Sequence, residues 1–333
     1  MLEKGWILKN FIEERLARVA IIKNIEVISY NSEWPRMFEE EAALIKKTLV
    51  DNCVAIHHVG STSVPNLSAK PIIDIIGVVE NPEAAIPILE FLGFKYKGEY
   101  NIPMHFGFSK RATIKVNLHV YKDGHPEIEL NILFRDYLRD NPAIRDEYAH
   151  LKKDLLKEKS SFEKHNSLFT GYNLGKNTFI NKVLRQAGFD RLRVARCTHY
   201  AEWEAYHRIR SDQIFNPIHV VYDHNHPTLT AENHYHFVLY KGTDIVTVAH
   251  LEFLNDHEAT FRSLATDKHY KKNGYGSYMM NFLERWVKQQ QRQVIKIHAY
   301  LHAEGFYKNR GYTAMPFGDV CINSEFVNLG KIL

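Results

Sequence analysis

Between Lys271 and Trp286 the chain reads KKNGYGSYMMNFLERW, with Gly274 and Gly276 directly ahead of a segment of helical periodicity. Tyr275, Met279, Phe282 and Trp286 fall on one stripe of a helix, and such a stripe has to be covered by another layer. Glycine at the mouth of a helix admits backbone angles that a side chain would penalise, and it lets a ligand approach the main chain. The first helical turn also leaves its N–H groups without intrahelical acceptors and carries the positive end of the helix dipole. Together these features make an anion cradle whose expected guest is a diphosphate. Lys271 adds a cation and Ser277 a hydroxyl donor. The segment has neither the Gly-Lys-Ser/Thr ending of a Walker A loop nor the third glycine of a dinucleotide fingerprint. Read in isolation, the loop also fits an ordinary strand-to-helix connection whose glycines only ease the turn.

The neighbouring patterns narrow the fold. HYHFVLYKG, DIVTVAHLEFL and ATFRSLATD alternate as three strands of an antiparallel meander ahead of the loop. The strand VIKIHAY, a short helix around AEGFYKNR and a closing β segment follow the helix. Further upstream the pattern is mixed: helix WPRMFEEEAALIKKTL, strands VAIHHVG and IIDIIGVV, helix PEAAIPILEFLG, strands around IKVNLHVY and PEIELNILF, then charged helices. A chain of 333 residues is long enough for two domains. The boundary is expected near QAGFDRLRVAR, where a helix ends at Gly188 and a short basic strand begins. The predicted organisation is a helical extension over residues 1–24, a domain over 25–188 and a domain over 189–333. Both domains are α+β, with mixed sheets and helices. Leu8, Phe11, Ile12, Leu16 and Val19 suit one face of the N-terminal helix.

Composition excludes several classes. Apolar residues make up 45% and charged residues 25%, ordinary for a soluble globular chain. Cys53, Cys197 and Cys321 are odd in number and widely spaced, which argues against a disulfide framework or a structural zinc site and for a reducing compartment. A dispersed net charge of +4 is not the footprint of a dedicated nucleic-acid binder. No apolar run approaches the ~20 residues that span a bilayer, and the first residues lack a signal-peptide core. A cytoplasmic protein is expected, and the sequence specifies no oligomeric state.

About thirty residues beyond the glycine loop stands HAEGFYKNRGY. Here the chain resembles the GNAT acyl-coenzyme A transferase superfamily. The family loop Arg/Gln-x-x-Gly-x-Gly/Ala is matched by Lys271, Gly274 and Gly276. The later Ala-x-x-Phe-Tyr-x-x-x-Gly-Tyr/Phe segment is matched by Ala303, Phe306, Tyr307, Gly311 and Tyr312, and FRSLATD resembles the strand that precedes the loop. The resemblance covers about residues 191–333 and implies acetyl transfer from acetyl-coenzyme A to a small-molecule amine. It places the coenzyme diphosphate on the amides of Lys272, Asn273, Gly274, Tyr275, Gly276 and Ser277, and the pantetheine arm along Leu264, Ala265 and Thr266. Tyr307 would supply a proton to the leaving thiolate. An amine acceptor must lose a proton before attack. His250 and Glu252, on one face of VTVAHLEFL, are either the base or polar residues on a solvated face. The pairs His224/His226 and His234/His236 raise metal binding, against which stand the absence of a supporting carboxylate motif and the strand break at Pro227.

In the first half, HHVGSTSVPNLSAKPIIDIIGVV combines a Gly-Ser turn with a strand carboxylate, Asp74, in the outline of a phosphate-and-magnesium site. With NLHVYKDGHPEIELNILFRDYLR and FTGYNLGKNTFI, this region resembles the GrpB family over about residues 25–187, and through it the nucleotidyltransferase superfamily. The implied nucleotide contacts are Gly60, Ser61, Thr62 and Lys70, and the implied Mg2+ ligands are Asp74, Glu127 and Glu129, the glutamates on one face of a strand. The second carboxylate of the superfamily's Asp-x-Asp is replaced by Ile76, so nucleotidyl transfer and simple nucleotide binding both stay open. A protein that senses acyl-coenzyme A and nucleotide without turnover is the contrasting function.

Overall fold

The computed structural model describes residues 20–21, 25–165, 169–318 and 325–333. They form two compact units that part between Arg193 and Val194. The stripe Leu8, Phe11, Ile12, Leu16 and Val19 lies outside the described residues. Ala20–Ile21 form a short strand, β1, where the helical extension was expected to continue.

The N-terminal unit is built on a five-stranded sheet, in the order β2 (Cys53–Val59), β3 (Ile73–Val79), β6 (Lys115–Lys122), β5 (Phe106–Arg111) and β4 (Lys95–Gly98). β3 and β6 are parallel and the other pairs antiparallel, so the sheet is mixed. The strand β3 reads IDIIGVV because it is central and covered on both faces. Ile73, Ile75 and Val79 join Trp34, Ile45 and Leu49 of the helix Trp34–Leu49 in one core. Ile76 and Val78 point the other way, into a cluster with Val59 and Tyr121. Asp74 shares their face by period-two alternation, and it pairs with Val59 at the point where β2 gives way to the Gly60 turn. A small sheet of β1, β7 (Glu163–His165) and β8 (Phe169–Thr170) leads into the helices Gly171–Leu174 and Asn177–Gln186.

PEIELNILF is helical, contrary to the strand expected from its alternation. It opens the helix Pro126–Asp140. The local chemistry explains the outcome. His125 accepts the Glu127 N–H at 3.3 Å as a cap, Pro126 has the preset φ of a first helical position, and Glu127 and Glu129 complement the dipole in the first turn.

The C-terminal unit carries a seven-stranded sheet in the order β14 (Thr313–Ala314), β15 (Phe326–Ile332), β13 (Val294–Tyr300), β12 (Glu258–Thr266), β11 (Asp244–Phe253), β10 (His234–Lys241) and β9 (Leu192–Arg196). β10, β11 and β12 form the antiparallel meander, and β12 and β13 are parallel, joined by the helix Tyr275–Gln289. Met279, Met280, Phe282, Leu283, Trp286 and Val287 of that helix are buried. Trp286 packs among Tyr235, Phe237 and Phe253, with ring centroids 5.2, 5.1 and 5.5 Å away.

Two irregularities shape the middle of the sheet. The β11–β12 register shifts after His250↔Ser263 to Leu251↔Phe261, which makes Arg262 the extra residue of a bulge. The β12–β13 pairing runs only from Glu258↔Val294 to Thr260↔Lys296. Beyond it β13 continues with β15 as far as Tyr300↔Phe326. Among the described residues, the second half of β12 thus has a strand partner on one side alone.

Trp286→Ala should cost the C-terminal unit about 3–5 kcal/mol through lost burial and an unfilled aromatic cavity. A lowered denaturant midpoint by circular dichroism checks this, and Trp286→Phe should recover much of the loss.

Candidate functional site

In the C-terminal unit the predicted coenzyme residues form a continuous path. Leu264 and Thr266 are half-buried on the open half of β12, and Ala265 between them is buried. Thr266 is braced by the Thr247 hydroxyl at 2.9 Å. The chain then passes through a short turn capped by Asp267, whose carboxylate accepts the His269 N–H at 3.0 Å. Lys271 is extended, while Lys272 and Gly274 adopt left-handed φ values of +67° and +79°. These left-handed residues make the tight turn that delivers the chain to the start of the helix. Lys271, Lys272, Asn273 and Gly274 are exposed. Gly274 caps the helix without a side chain, so the first-turn amides have no cap acceptor. A Cβ added at Gly276 would meet Thr266 Oγ1 at 3.6 Å and Leu264 Cδ2 at 3.9 Å, ordinary contacts. The glycine therefore keeps the space over the amides clear and is not forced by packing.

Sequence reading missed Arg310. Its guanidinium bonds the Ser277 hydroxyl and the Phe306 carbonyl (2.6 Å) and lies over the Phe306 ring at 3.6 Å. It adds a fixed cation at the helix mouth, while the Ser277 oxygen acts there as an acceptor. Tyr307, on the short helix Glu304–Lys308, is half-buried and packs edge-on to Phe306 and Tyr312. Burial raises its pKa, only partly opposed by Arg310, so the phenol keeps its proton at neutral pH. No hydrogen-bond partner of its hydroxyl is found among the described residues.

His250 and Glu252 do share a face of β11, and both line a cavity of about 590 Å3. His250 does not lie on a solvated face: it is 3% exposed, and its Nε2 is 2.8 Å from His234 Nδ1. Burial and the neighbouring cationic groups lower its pKa far enough to keep the ring neutral. Glu252 receives the Arg262 Nε at 2.6 Å and the Asn233 amide at 3.1 Å, and His234 Nε2 stands 3.7 Å from it. His234 is thus the bridge between them, a role that sequence reading did not give it. Arg210, the last residue of the helix Tyr200–Arg210, and Phe215 and Tyr222 beyond it close the cavity wall. The residues 271–277 and Tyr307 are not part of that lining. Among the described residues no group of three or more His, Cys, Asp or Glu side chains is arranged so that it could hold a metal ion. His236 instead bonds Tyr206 and the Thr228 carbonyl.

In the N-terminal unit Gly60, Ser61, Thr62, Lys70 and Asp74 line one cavity of about 510 Å3, joined by Lys152, Tyr172 and Lys176. Gly60 has φ +68°, and an added Cβ would lie 2.4 Å from Asp74 Oδ2, so only glycine lets the carboxylate fold against the turn. Asn117 donates to Asp74 Oδ1 at 2.8 Å. The Thr62 hydroxyl is occupied by His58 Nε2 (3.0 Å) and the Ile72 carbonyl (3.4 Å), which leaves it a structural part.

The expected Mg2+ set is not assembled. Glu127 and Glu129 sit in the first turn of a helix and bond Arg193 (3.3 Å) and Arg191 (2.8 Å), and from that helix the cavity takes Asn131 instead. One carboxylate amid three ammonium groups is a poor donor set for a hard divalent cation. No helix among the described residues is long and apolar enough to cross a membrane.

Comparison with known proteins bears on both units. The family described as GrpB protein matches residues 24–186, and the family described as Acetyltransferase (GNAT) domain matches residues 232–314. UPF0157 protein YqkA of Bacillus subtilis is 42% identical over 137 residues, 40% of this chain and 40% of that protein, so the match spans well under half of YqkA. UPF0157 protein BH1888 of Halalkalibacterium halodurans is 33% identical over 167 residues, 49% of this chain and 83% of that protein. The crystal structure of the conserved protein GrpB from Enterococcus faecalis is 36% identical and covers 49% of this chain and 96% of its own, with a TM-score of 0.42. The chain belongs to the GrpB family through its first half, and residues 232–314 of its second half match the GNAT acetyltransferase domain family.

Proposed function

We propose that the C-terminal unit transfers an acetyl group from acetyl-coenzyme A to the amine of a small molecule. The observation that carries this reading is the free half of β12 running on into the exposed glycine loop at the uncapped mouth of the helix Tyr275–Gln289. An unpaired strand edge offers main-chain hydrogen bonds to an extended amide chain, and a helix mouth offers them to a diphosphate. The two stand in the order in which a pantetheine arm and its diphosphate would meet them. Acetyl-coenzyme A supplies an activated acyl carbon that exchanges its bond to sulfur for one to nitrogen.

The protein's own residues take four parts. The amides of residues 272–277 hold the diphosphate, helped by Lys271 and Arg310. Lysine at 271 keeps a cation but lacks the planar fork of arginine, which favours modest affinity. The edge Leu264–Thr266 pairs with the amide arm. Tyr307 gives its proton to the departing sulfur; a phenol of pKa about 10 or above is a weaker acid than a thiol of about 8.5, so the proton moves as the C–S bond breaks and not to a finished thiolate. The proton lost by the amine passes to the His234–Glu252 pair, with the neutral His250 orienting His234 by their 2.8 Å contact.

Release of free thiol from acetyl-coenzyme A on addition of a panel of amines tests the activity. Saturable binding without turnover for every amine would favour the sensor instead. Gly276→Asp should leave the fold intact, since an acidic residue suits a helix N-terminus, yet weaken coenzyme A at least about tenfold by calorimetry. Tyr307→Phe should lower kcat by about 10²-fold or more, with little change in coenzyme affinity; undiminished turnover would remove Tyr307 from the proton transfer. Because burial raises its pKa, no alkaline loss of kcat traceable to Tyr307 is expected below about pH 10.

A further inference from the structure

We propose that the N-terminal cavity is a receptor for a phosphate-bearing small molecule, gripped directly by Lys70, Lys152 and Lys176 without a divalent metal. The inference rests on an imbalance of buried charge. Three ammonium groups line the cavity of about 510 Å3 and a single carboxylate, Asp74, faces them. Lys152 is only 2% exposed, and its ammonium is held by neutral oxygens, Ser61 Oγ at 3.1 Å and the Ser68 carbonyl. Lys176, half-buried, donates to Asn173 Oδ1 at 3.3 Å. None of the three lysines has a carboxylate within salt-bridge distance among the described residues. Two half-buried lysines elsewhere do have one: Lys110 has Glu41 at 2.8 Å and Lys296 has Glu258 at 2.7 Å.

Three desolvated cations against one carboxylate are costly, and burial lowers the pKa of all three, opposed by Asp74 at Lys70 and Lys176. Burial, with repulsion from Lys176, brings Lys152 down to about 7. Burial, with repulsion from Lys70, brings Lys176 down to about 8. What holds such groups in place is aromatic. Lys70 and Lys176 lie over the Tyr172 ring at 4.4 and 4.9 Å, and Lys152 lies over Tyr148 at 4.7 Å. A ring face positions an ammonium while leaving its N–H groups free to donate. The hydroxyl of Ser61 and the amides of Asn117, Asn131 and Asn173 add neutral polar groups around the same space. Three amino groups that an incoming anion would hold in their protonated form, with neutral polar groups between them, suit a tetrahedral dianion or a diphosphate, and the cavity lies within the range that holds a nucleotide-sized molecule. This inference is independent of the acetyl-transfer reading, which concerns the other unit.

The test is calorimetry on the full chain in excess EDTA, with pyrophosphate, ribose 5-phosphate, AMP and ATP as probes. At least one probe should bind. Lys152→Met and Lys176→Gln should each weaken it about tenfold or more while the melting temperature stays level or rises, because each removes an uncompensated buried charge. Gly276→Asp should leave this binding unchanged, which separates it from any diphosphate held by the other unit. Preference for AMP and ATP would assign the phosphate to a nucleotide; equal binding of ribose 5-phosphate or pyrophosphate would assign it to the phosphate group alone. Failure of all four probes overturns the proposal. So does binding that appears only with Mg2+, binding that survives both lysine substitutions, or a fall in melting temperature showing that the lysines serve the fold.

Discussion

Much of the C-terminal unit follows from how β12 divides its hydrogen bonds. For three residues it pairs with β13 on one side, while β11 stays with it on the other. The bulge at Arg262 then adds twist, and β13 departs with β15. A parallel pair that separates part-way must leave main-chain donors and acceptors exposed on the inner edge, and exposed edges are where extended ligands add. The same bulge sends Arg262 to Glu252, so the irregularity beside the opening also fixes a carboxylate in the cavity on β11. The anchor for all of this is the helix Tyr275–Gln289. Trp286, locked among three aromatic rings of β10 and β11, holds the helix so that its first turn stands at the end of the open edge.

The N-terminal unit depends on a different economy of charge. Its core strand places one polar residue, Asp74, on a face otherwise apolar, and Gly60 yields the space that the carboxylate needs. Around it the fold brings lysines from three distant parts of the chain, each resting on a tyrosine ring. The arrangement is cationic where a metal-dependent transferase of similar outline would be anionic. Fold resemblance therefore says less about this unit's chemistry than the inventory of its cavity does.

Local signals were legible in the sequence wherever residue type and spacing act on the nearest neighbours. The stripe from Tyr275 to Trp286, the paired glycines, the alternation along β3 and the meander ahead of the loop are all decided within one element. PEIELNILF shows where such reading fails, because its alternation satisfies a strand while His125 and Pro126 nucleate a helix. His234 shows another limit. The two-residue turn between Lys241 and Asp244 suggests its strand partner, but the register shift at Leu239/Tyr240 moves every residue beyond it by one place. Only with that shift does His234 stand opposite Glu252.

By itself the sequence determined two α+β domains, the helix with an unencumbered N-terminus and the residue types on each strand face, because periodicity and backbone freedom are properties of short segments. Which side chains converge was decided only by the tertiary structure. Lys70, Lys152 and Lys176 are separated by tens of residues, as are Ser277 and Arg310, and no local preference brings them together. Their meeting depends on strand order, bulges and the packing of one layer on another, which are properties of the whole chain.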